Sequence, residues 1–312
     1  YIVPSGLASV TVPLSAVLRP GDEVISTDAI YGPSRKFMDS YLGQRGITVR
    51  YHPAAASTQD IVALFSDKTR ALLIEAPGSL TFEMADIAAL AAACRERGIV
   101  SIVDNTWGAG LACRPLELGA DISVQALTKY VGGHSDVLMG SICVKDDALA
   151  AAVFETLDLN GWHVSPDDAW LALRGIRTMP VRYRTQAASA LKVAQWLKGQ
   201  DQISRVLYPP LESDPGHHLW KQQFDGAASL IGLVMKGGST RDAHQLMRSL
   251  ELFGIGYSWG GYESLVTNDT AQLKWRVHQP ELEGELIRLH IGLEDTEDLI
   301  ADLARGLSDW GG

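Results

Sequence analysis

The chain has 312 residues, 46% of them hydrophobic, with 27 basic side chains against 37 acidic ones and a formal net charge of -10. That is enough apolar matter to fill a core in one large domain or two modest ones, and the acidic balance disfavours nucleic acid and anionic membrane surfaces as partners. The three cysteines, Cys94, Cys113 and Cys143, are widely spaced without a CxxC pair, which argues against a disulfide framework or structural zinc and predicts buried thiols in a reducing cytoplasm.

The chain opens at Tyr1-Ile2-Val3-Pro4 without Met, in what reads as the middle of a strand-to-helix unit. Residues upstream are therefore expected to be missing, along with any targeting segment among them. Ser5-Gly6-Leu7-Ala8 then opens a helix whose first N–H groups lack partners, a place for a phosphate, although Ser-Gly is also an ordinary N-cap. Pro13 inside that helix predicts a kink. From Glu23 to Val144, short β-branched runs alternate with helical patterns, the signature of a mostly parallel sheet covered by helices on both faces. The strands fall at 23–26, 48–51, 71–74, 100–103, 122–125 and 141–144, with helices at 60–65 and 87–97. The richest apolar run, Met84 to Cys94, still contains Asp86, so no segment reads as a membrane span.

Beyond about residue 175 the texture changes. A helix over 185–198 is followed by strands at 205–208, 228–235 and 286–291 and helices at 240–252 and 296–307, which suits a smaller α+β unit with an antiparallel sheet. The division predicted is 1–175 for a ligand-binding α/β domain and 176–312 for the smaller one, with the 185–198 helix packed across both.

Open α/β sheets bind ligands beyond the carboxyl ends of their strands. Asp104 ends one predicted strand and Thr128-Lys129 the next. A lone lysine there is ordinarily solvated, and a lone aspartate ordinarily caps a turn through Asn105-Thr106. Together, a lysine able to form a Schiff base and a carboxylate able to hold a protonated pyridine nitrogen are the pairing that pyridoxal 5'-phosphate chemistry needs. Thr128 adds a hydroxyl for the phosphate beside Gly6 and Leu7. Tyr31, before Gly32-Pro33, offers a ring to stack on the pyridine, or is simply a turn residue.

Arg288 is a charge within the apolar run 286–291; it grips a substrate carboxylate, pairs with a residue such as Glu294, or faces outward in an alternating strand. Ser258-Trp259-Gly260-Gly261-Tyr262 is a tight glycine turn between aromatics whose N–H groups suit a carboxylate, with a plain hairpin turn as the alternative. The eight histidines show no HExxH or other metal-ligand spacing and read as structural or exposed, His134 shaping the loop after Lys129; no metal site is predicted.

Taken together, Ser5 to Ala8, Tyr31 to Pro33, Asp104 to Trp107, Thr128 to Asp136, Ser258 to Leu265 and Arg288 to Asp295 resemble the Cys/Met-metabolism family of pyridoxal-phosphate enzymes, of the aspartate aminotransferase-like fold type I. The Trp259 and Tyr262 form of the glycine turn and the run from Arg288 to Asp295 are similar to its bacterial cystathionine β-lyase branch. The resemblance implies a Schiff base on Lys129, Asp104 on the pyridine nitrogen, Tyr31 on the ring face, and Gly6, Leu7 and Thr128 on the phosphate. Arg288, Ser258 and Trp259 would hold the substrate carboxylate, and Lys129 or Tyr31 would move protons. Ala126 stands where many relatives have a phosphate-binding serine.

The implied activity is cleavage of L-cystathionine, a small-molecule thioether, to homocysteine, pyruvate and ammonia. The implied assembly is a cytoplasmic homotetramer, a dimer of dimers whose paired subunits share active sites through an upstream tyrosine and arginine. Other members of the family, such as γ-lyases, γ-synthases and cysteine-conjugate lyases, are the nearest alternatives. A catalytically silent protein that keeps the fold is the alternative of another class.

Overall fold

The short β-branched runs and the helices between them form where period-2 and period-3.6 patterning put them. In the computed structural model, which describes all residues except 309 and 312, the chain begins β1 (Ile2–Val3), α1 (Gly6–Val17), β2 (Glu23–Thr27), α2 (Gly32–Lys36), β3 (Thr48–His52), α3 (Thr58–Val62), β4 (Thr69–Glu75), α4 (Ile87–Glu96), β5 (Val100–Asp104), β6 (Ile122–Ala126) and β7 (Gly140–Val144). Helices α5 (Asp147–Leu159), α6 (Pro166–Ile176) and α7 (Met179–Leu197) follow. The rest is β8 (Ile203–Leu207), α8 (His217–Gln223), β9 (Leu230–Met235), α9 (Thr240–Ser249), β10 (Gly254–Ile255), β11 (Leu265–Asn268), β12 (Leu286–His290) and α10 (Thr296–Ser308).

The first seven strands make one sheet in the order β1-β7-β6-β5-β4-β2-β3. Its neighbours from β3 through β6 are parallel, while β7 runs against β6 and β1 against β7. Alternation along β4 divides the interior into two cores. Ala71 and Leu73 join Val10 and Leu14 of α1 and Val153 of α5, whereas Leu72 and Ile74 join Ile87 and Leu90 of α4 and Val193 and Leu197 of α7. Both faces of the sheet are thus covered, as parallel strands require. The second sheet, β10-β11-β12-β9-β8, is antiparallel except at its edge, where β10 runs parallel to β11.

Helix α1 includes Pro13, where a kink is expected, and its buried residues from Ala8 to Ala16 hold the turns on either side in place. Several local expectations are corrected. Helix α7 starts at Met179 rather than 185, since Pro180 suits a first turn. Helix α3 starts at Thr58, where Ser57 and Asp60 form a capping box. Helices α5 and α6, which the strand-centred reading passed over, are capped by Asp146 and Ser165. Cys94 and Cys113 are buried, but Cys143 is exposed, because it lies near the end of β7 on the face opposite its buried neighbour Ile142.

Helix α7 reaches elements of both sheets. The Tyr183 hydroxyl donates to the Trp107 carbonyl after β5 at 3.0 Å, and Ser189 meets Thr296 at the start of α10 at 2.9 Å. Among the described residues no helix is long and apolar enough to cross a membrane.

Candidate active site

Strands β2, β4, β5 and β6 end side by side, and the segments that leave them line a cavity of about 580 Å³. The chain departs from β2 toward β3 on one side and from β4 toward β7 on the other, so the cavity lies at the switch point where α/β sheets bind ligands. Gly6, Leu7, Tyr31, Asp104, Thr128, Lys129, Ser258, Trp259 and Arg288 all line it. Every residue expected from the sequence to touch cofactor or substrate therefore reaches one place.

Lys129 sits just past β6, half-buried. Its ammonium donates to Ser258 Oγ at 3.0 Å and stands 5.1 Å from the centre of the Trp259 ring. Burial first, and then the Arg288 cation, hold its pKa down to about 8, against the opposing pull of Asp104. Asp104 ends β5, and both of its protein donors go to Oδ1: the Thr106 N–H at 3.0 Å and the Thr106 hydroxyl at 2.5 Å. The same hydroxyl accepts the Ala126 N–H at 2.9 Å, which ties the end of β5 to the end of β6. Burial raises the Asp104 pKa while the Thr106 donors and Lys129 lower it.

Glu75 was missed. It ends β4 and pairs in register with Asp104, so two carboxylates lie side by side on one face. Glu75 accepts the backbone N–H of Tyr31 at 2.8 Å and the Ser79 hydroxyl at 2.5 Å. Burial, and then Asp104, push its pKa up to about 8. The signal was available, since β4 ends in a carboxylate just as β5 does. The Tyr31 phenol is likewise raised by burial, Asp104 and Glu75.

At the other end of the cavity, Ser5 caps α1 by accepting the Ala8 N–H at 3.1 Å, which leaves the Gly6 and Leu7 amides at the head of the helix without intrahelical partners. A Cβ on Gly6 would stand 2.4 Å from the Ala126 Cβ, so the close approach of α1 to β6 requires glycine there. Thr128 departs from the reading of its hydroxyl as a free donor. Its Oγ1 exchanges hydrogen bonds with the Met139 backbone, accepting at 3.1 Å and donating at 3.2 Å.

Arg288 lies in the middle of β12 and is not paired with Glu294. Its Nε is 3.2 Å from buried Asp269, and its Nη2 donates to the Tyr257 carbonyl at 2.8 Å. Glu294 instead accepts the N–H and hydroxyl of Ser264, each at 2.8 Å, because the turn after β12 carries it back toward β11 rather than toward the cavity. His134 Nδ1 lies 2.8 Å from the Gly132 carbonyl, within the loop after Lys129.

The chain matches the model of the Cys/Met metabolism PLP-dependent enzyme family over residues 1–308. It is 42% identical over 308 residues to the cystathionine beta-lyase of Bordetella avium, covering 98% of this chain and 77% of that protein. It is 38% identical over 313 residues to the cystathionine beta-lyase MetC of Escherichia coli K12, covering 98% and 79%. Relatives with other names are an L-alanine/L-glutamate racemase of Wolbachia pipientis wMel, 35% identical over 98% of this chain and 76% of that protein, and a cystathionine gamma-lyase of Dictyostelium discoideum, 34% identical over 97% and 79%. The crystal structure of metB from Corynebacterium glutamicum superposes with a TM-score of 0.94 at 28% identity, covering 99% of this chain and 80% of that one. With the fold, the cavity and a family match that runs almost the whole length, the chain belongs to the Cys/Met metabolism PLP-dependent enzymes, and pyridoxal 5'-phosphate is its cofactor.

Proposed function

We propose that this enzyme is a carbon-sulfur β-lyase that cleaves L-cystathionine, with water, to homocysteine, pyruvate and ammonia. The observation that carries the reading is the meeting of Lys129 with the Ser258-Trp259 turn, within a cavity that also holds Asp104 and Arg288. That tryptophan form of the turn and the run from Arg288 to Asp295 are the features that resemble the β-lyase branch, and the names of the relatives from Bordetella avium and Escherichia coli support it.

The residues present fit the cofactor. Asp104 Oδ2 has no donor among the described residues and is free for a protonated ring nitrogen, while Gly6 and Leu7 present open amides to a phosphate. Lys129 would carry the covalent linkage and Tyr31 the ring face. When bound, pyridoxal phosphate supplies the sink for the electron pair left at Cα. Arg288, with Ser258 and Trp259, would hold the substrate carboxylate and so fix the Cα–H bond for attack. The Lys129 amine takes that proton, which its depressed pKa permits near neutral pH. The leaving sulfur receives a proton from Lys129 or Tyr31. Residues 1–175 would supply the cofactor side of the site and 176–312 the carboxylate side, in a homotetramer built as a dimer of dimers.

Product analysis tests the reading. Incubation of the loaded enzyme with L-cystathionine should yield pyruvate; 2-oxobutyrate would replace this reading with γ-elimination, and D-alanine from L-alanine without pyruvate from cystathionine would replace it with racemisation.

A further inference from the structure

The Ser258-Trp259 turn is held at both ends by two side chains of one strand. Arg288 and His290 are two residues apart in β12, so they project from the same face. Arg288 grips the Tyr257 carbonyl, ahead of the turn, at 2.8 Å. His290 grips the far end: its Nε2 lies 3.1 Å from the Gly260 N–H and 3.2 Å from the Gly261 carbonyl. Between these anchors lie the two residues that face Lys129.

His290 is in turn part of a chain of groups that leads back to Lys129. Its Nδ1 is 2.8 Å from Ser229 Oγ, which is 2.7 Å from the Tyr130 hydroxyl. The Ser229 N–H also donates to that hydroxyl at 2.9 Å. Tyr130 immediately follows Lys129, and its ring meets Trp259 edge-on with centroids 5.5 Å apart. All three members are buried, Tyr130 and His290 at 1% and 2% exposure and Ser229 at 0%, so no water replaces a lost partner. Gly260 closes the circuit: its φ is +82°, and a Cβ there would stand 2.8 Å from the Lys129 carbonyl carbon. The turn therefore rests directly on the lysine's own backbone.

We infer that His290, Ser229 and Tyr130 form a positioning chain that sets the Ser258-Trp259 turn over Lys129, and thereby sets the affinity of the site for the substrate carboxylate. The inference rests on the reading of this cavity as the substrate site. Burial holds the His290 pKa down to about 3, so the imidazole is neutral at working pH. A neutral ring serves the turn in either tautomer, by donating from Nε2 to the Gly261 carbonyl or by accepting the Gly260 N–H. A purely structural chain would affect stability alone. A positioning chain also affects how the carboxylate is held.

The test uses Ser229→Ala and Tyr130→Phe in the cofactor-loaded enzyme. Glycine, a carboxylate-bearing amine with no leaving group, is titrated against the cofactor's visible absorbance, alongside KM, kcat and Tm. The expected result is a glycine Kd and a KM for cystathionine each raised about tenfold, with kcat within about threefold. A lowered Tm with both Kd and KM within about twofold of the parent overturns the inference. Should Ser229→Ala fail to fold, Tyr130→Phe, which removes one hydroxyl and keeps the ring, decides between the two outcomes by the same measurements. If the parent binds glycine but makes no pyruvate, the β-lyase reading has failed while the positioning chain is still decided by the Kd values.

Discussion

The two walls of the cavity are built on different principles. On one wall, Glu75 and Asp104 end adjacent parallel strands in register, and Lys129 stands just past the end of the next strand, β6. On the other, Ser258 and Trp259 sit in a turn without regular structure, held by side-chain hydrogen bonds from Arg288, His290 and Gln186. A wall fixed by backbone register keeps two carboxyl groups side by side, and their repulsion is relieved by protonation, with Glu75 pushed up to about 8, rather than by movement of the sheet. A wall fixed by side chains is sensitive to single hydroxyls. The first wall suits the proton chemistry, and the second suits recognition of the substrate.

The sharpest way to break that contrast is at Lys129. Lys129→Ala should lower kcat by a factor on the order of 10³ or more, with far-ultraviolet circular dichroism unchanged, since the residue sits beyond the end of β6. A variant with near-normal kcat would move the chemistry elsewhere. Across the cavity, Arg288→Ala should act mainly on binding, raising KM by roughly ten- to a hundredfold with a smaller change in kcat. Unchanged kcat/KM would make Arg288 only the partner of buried Asp269.

The smallest effect is electrostatic coupling between the walls. In the cofactor-free protein, Lys129 should react with a small aldehyde with a midpoint near pH 8; at pH 7 about one molecule in ten would carry the free amine, against about one in 3,000 for an ordinary lysine. Arg288 lowers the Lys129 pKa and Asp104 raises it. Arg288→Ala should therefore move the midpoint up and Asp104→Asn should move it down. Reductive labelling followed over pH reads both shifts: Asp104→Asn measures coupling within the first wall, and a midpoint that ignores Arg288→Ala would show that the two walls are electrically independent.

The first wall was largely legible in the sequence. Asp104 and Lys129 stood out because each ends a buried β-branched run, and a local period of two carries that information. Glu75 directly follows its predicted strand, 71–74, as Asp104 follows 100–103, but its carboxylate gains meaning only once the register sets it beside Asp104. The second wall was legible only in part. Residue types in the turn and in 286–291 pointed to a carboxylate site, but the partner of Arg288 was open, and the structure gives Asp269, not Glu294. Helices α5 and α6 went unread because their exposed apolar residues, including Leu159, Trp170 and Leu173, blur the one-sided pattern that marks a surface helix.

The sequence alone determined the α/β order of the first half, the strand ends that carry the lysine and its carboxylate, and the glycine-bearing head of α1, since each depends on residues near in the chain. Only the tertiary structure decided that Glu75 stands beside Asp104, that Thr106 ties β5 to β6, that Asp269 rather than Glu294 pairs with Arg288, and that Tyr130, Ser229 and His290 join into one chain. Those contacts join residues far apart in sequence, and their geometry is set by how sheets and turns pack, which no local periodicity records.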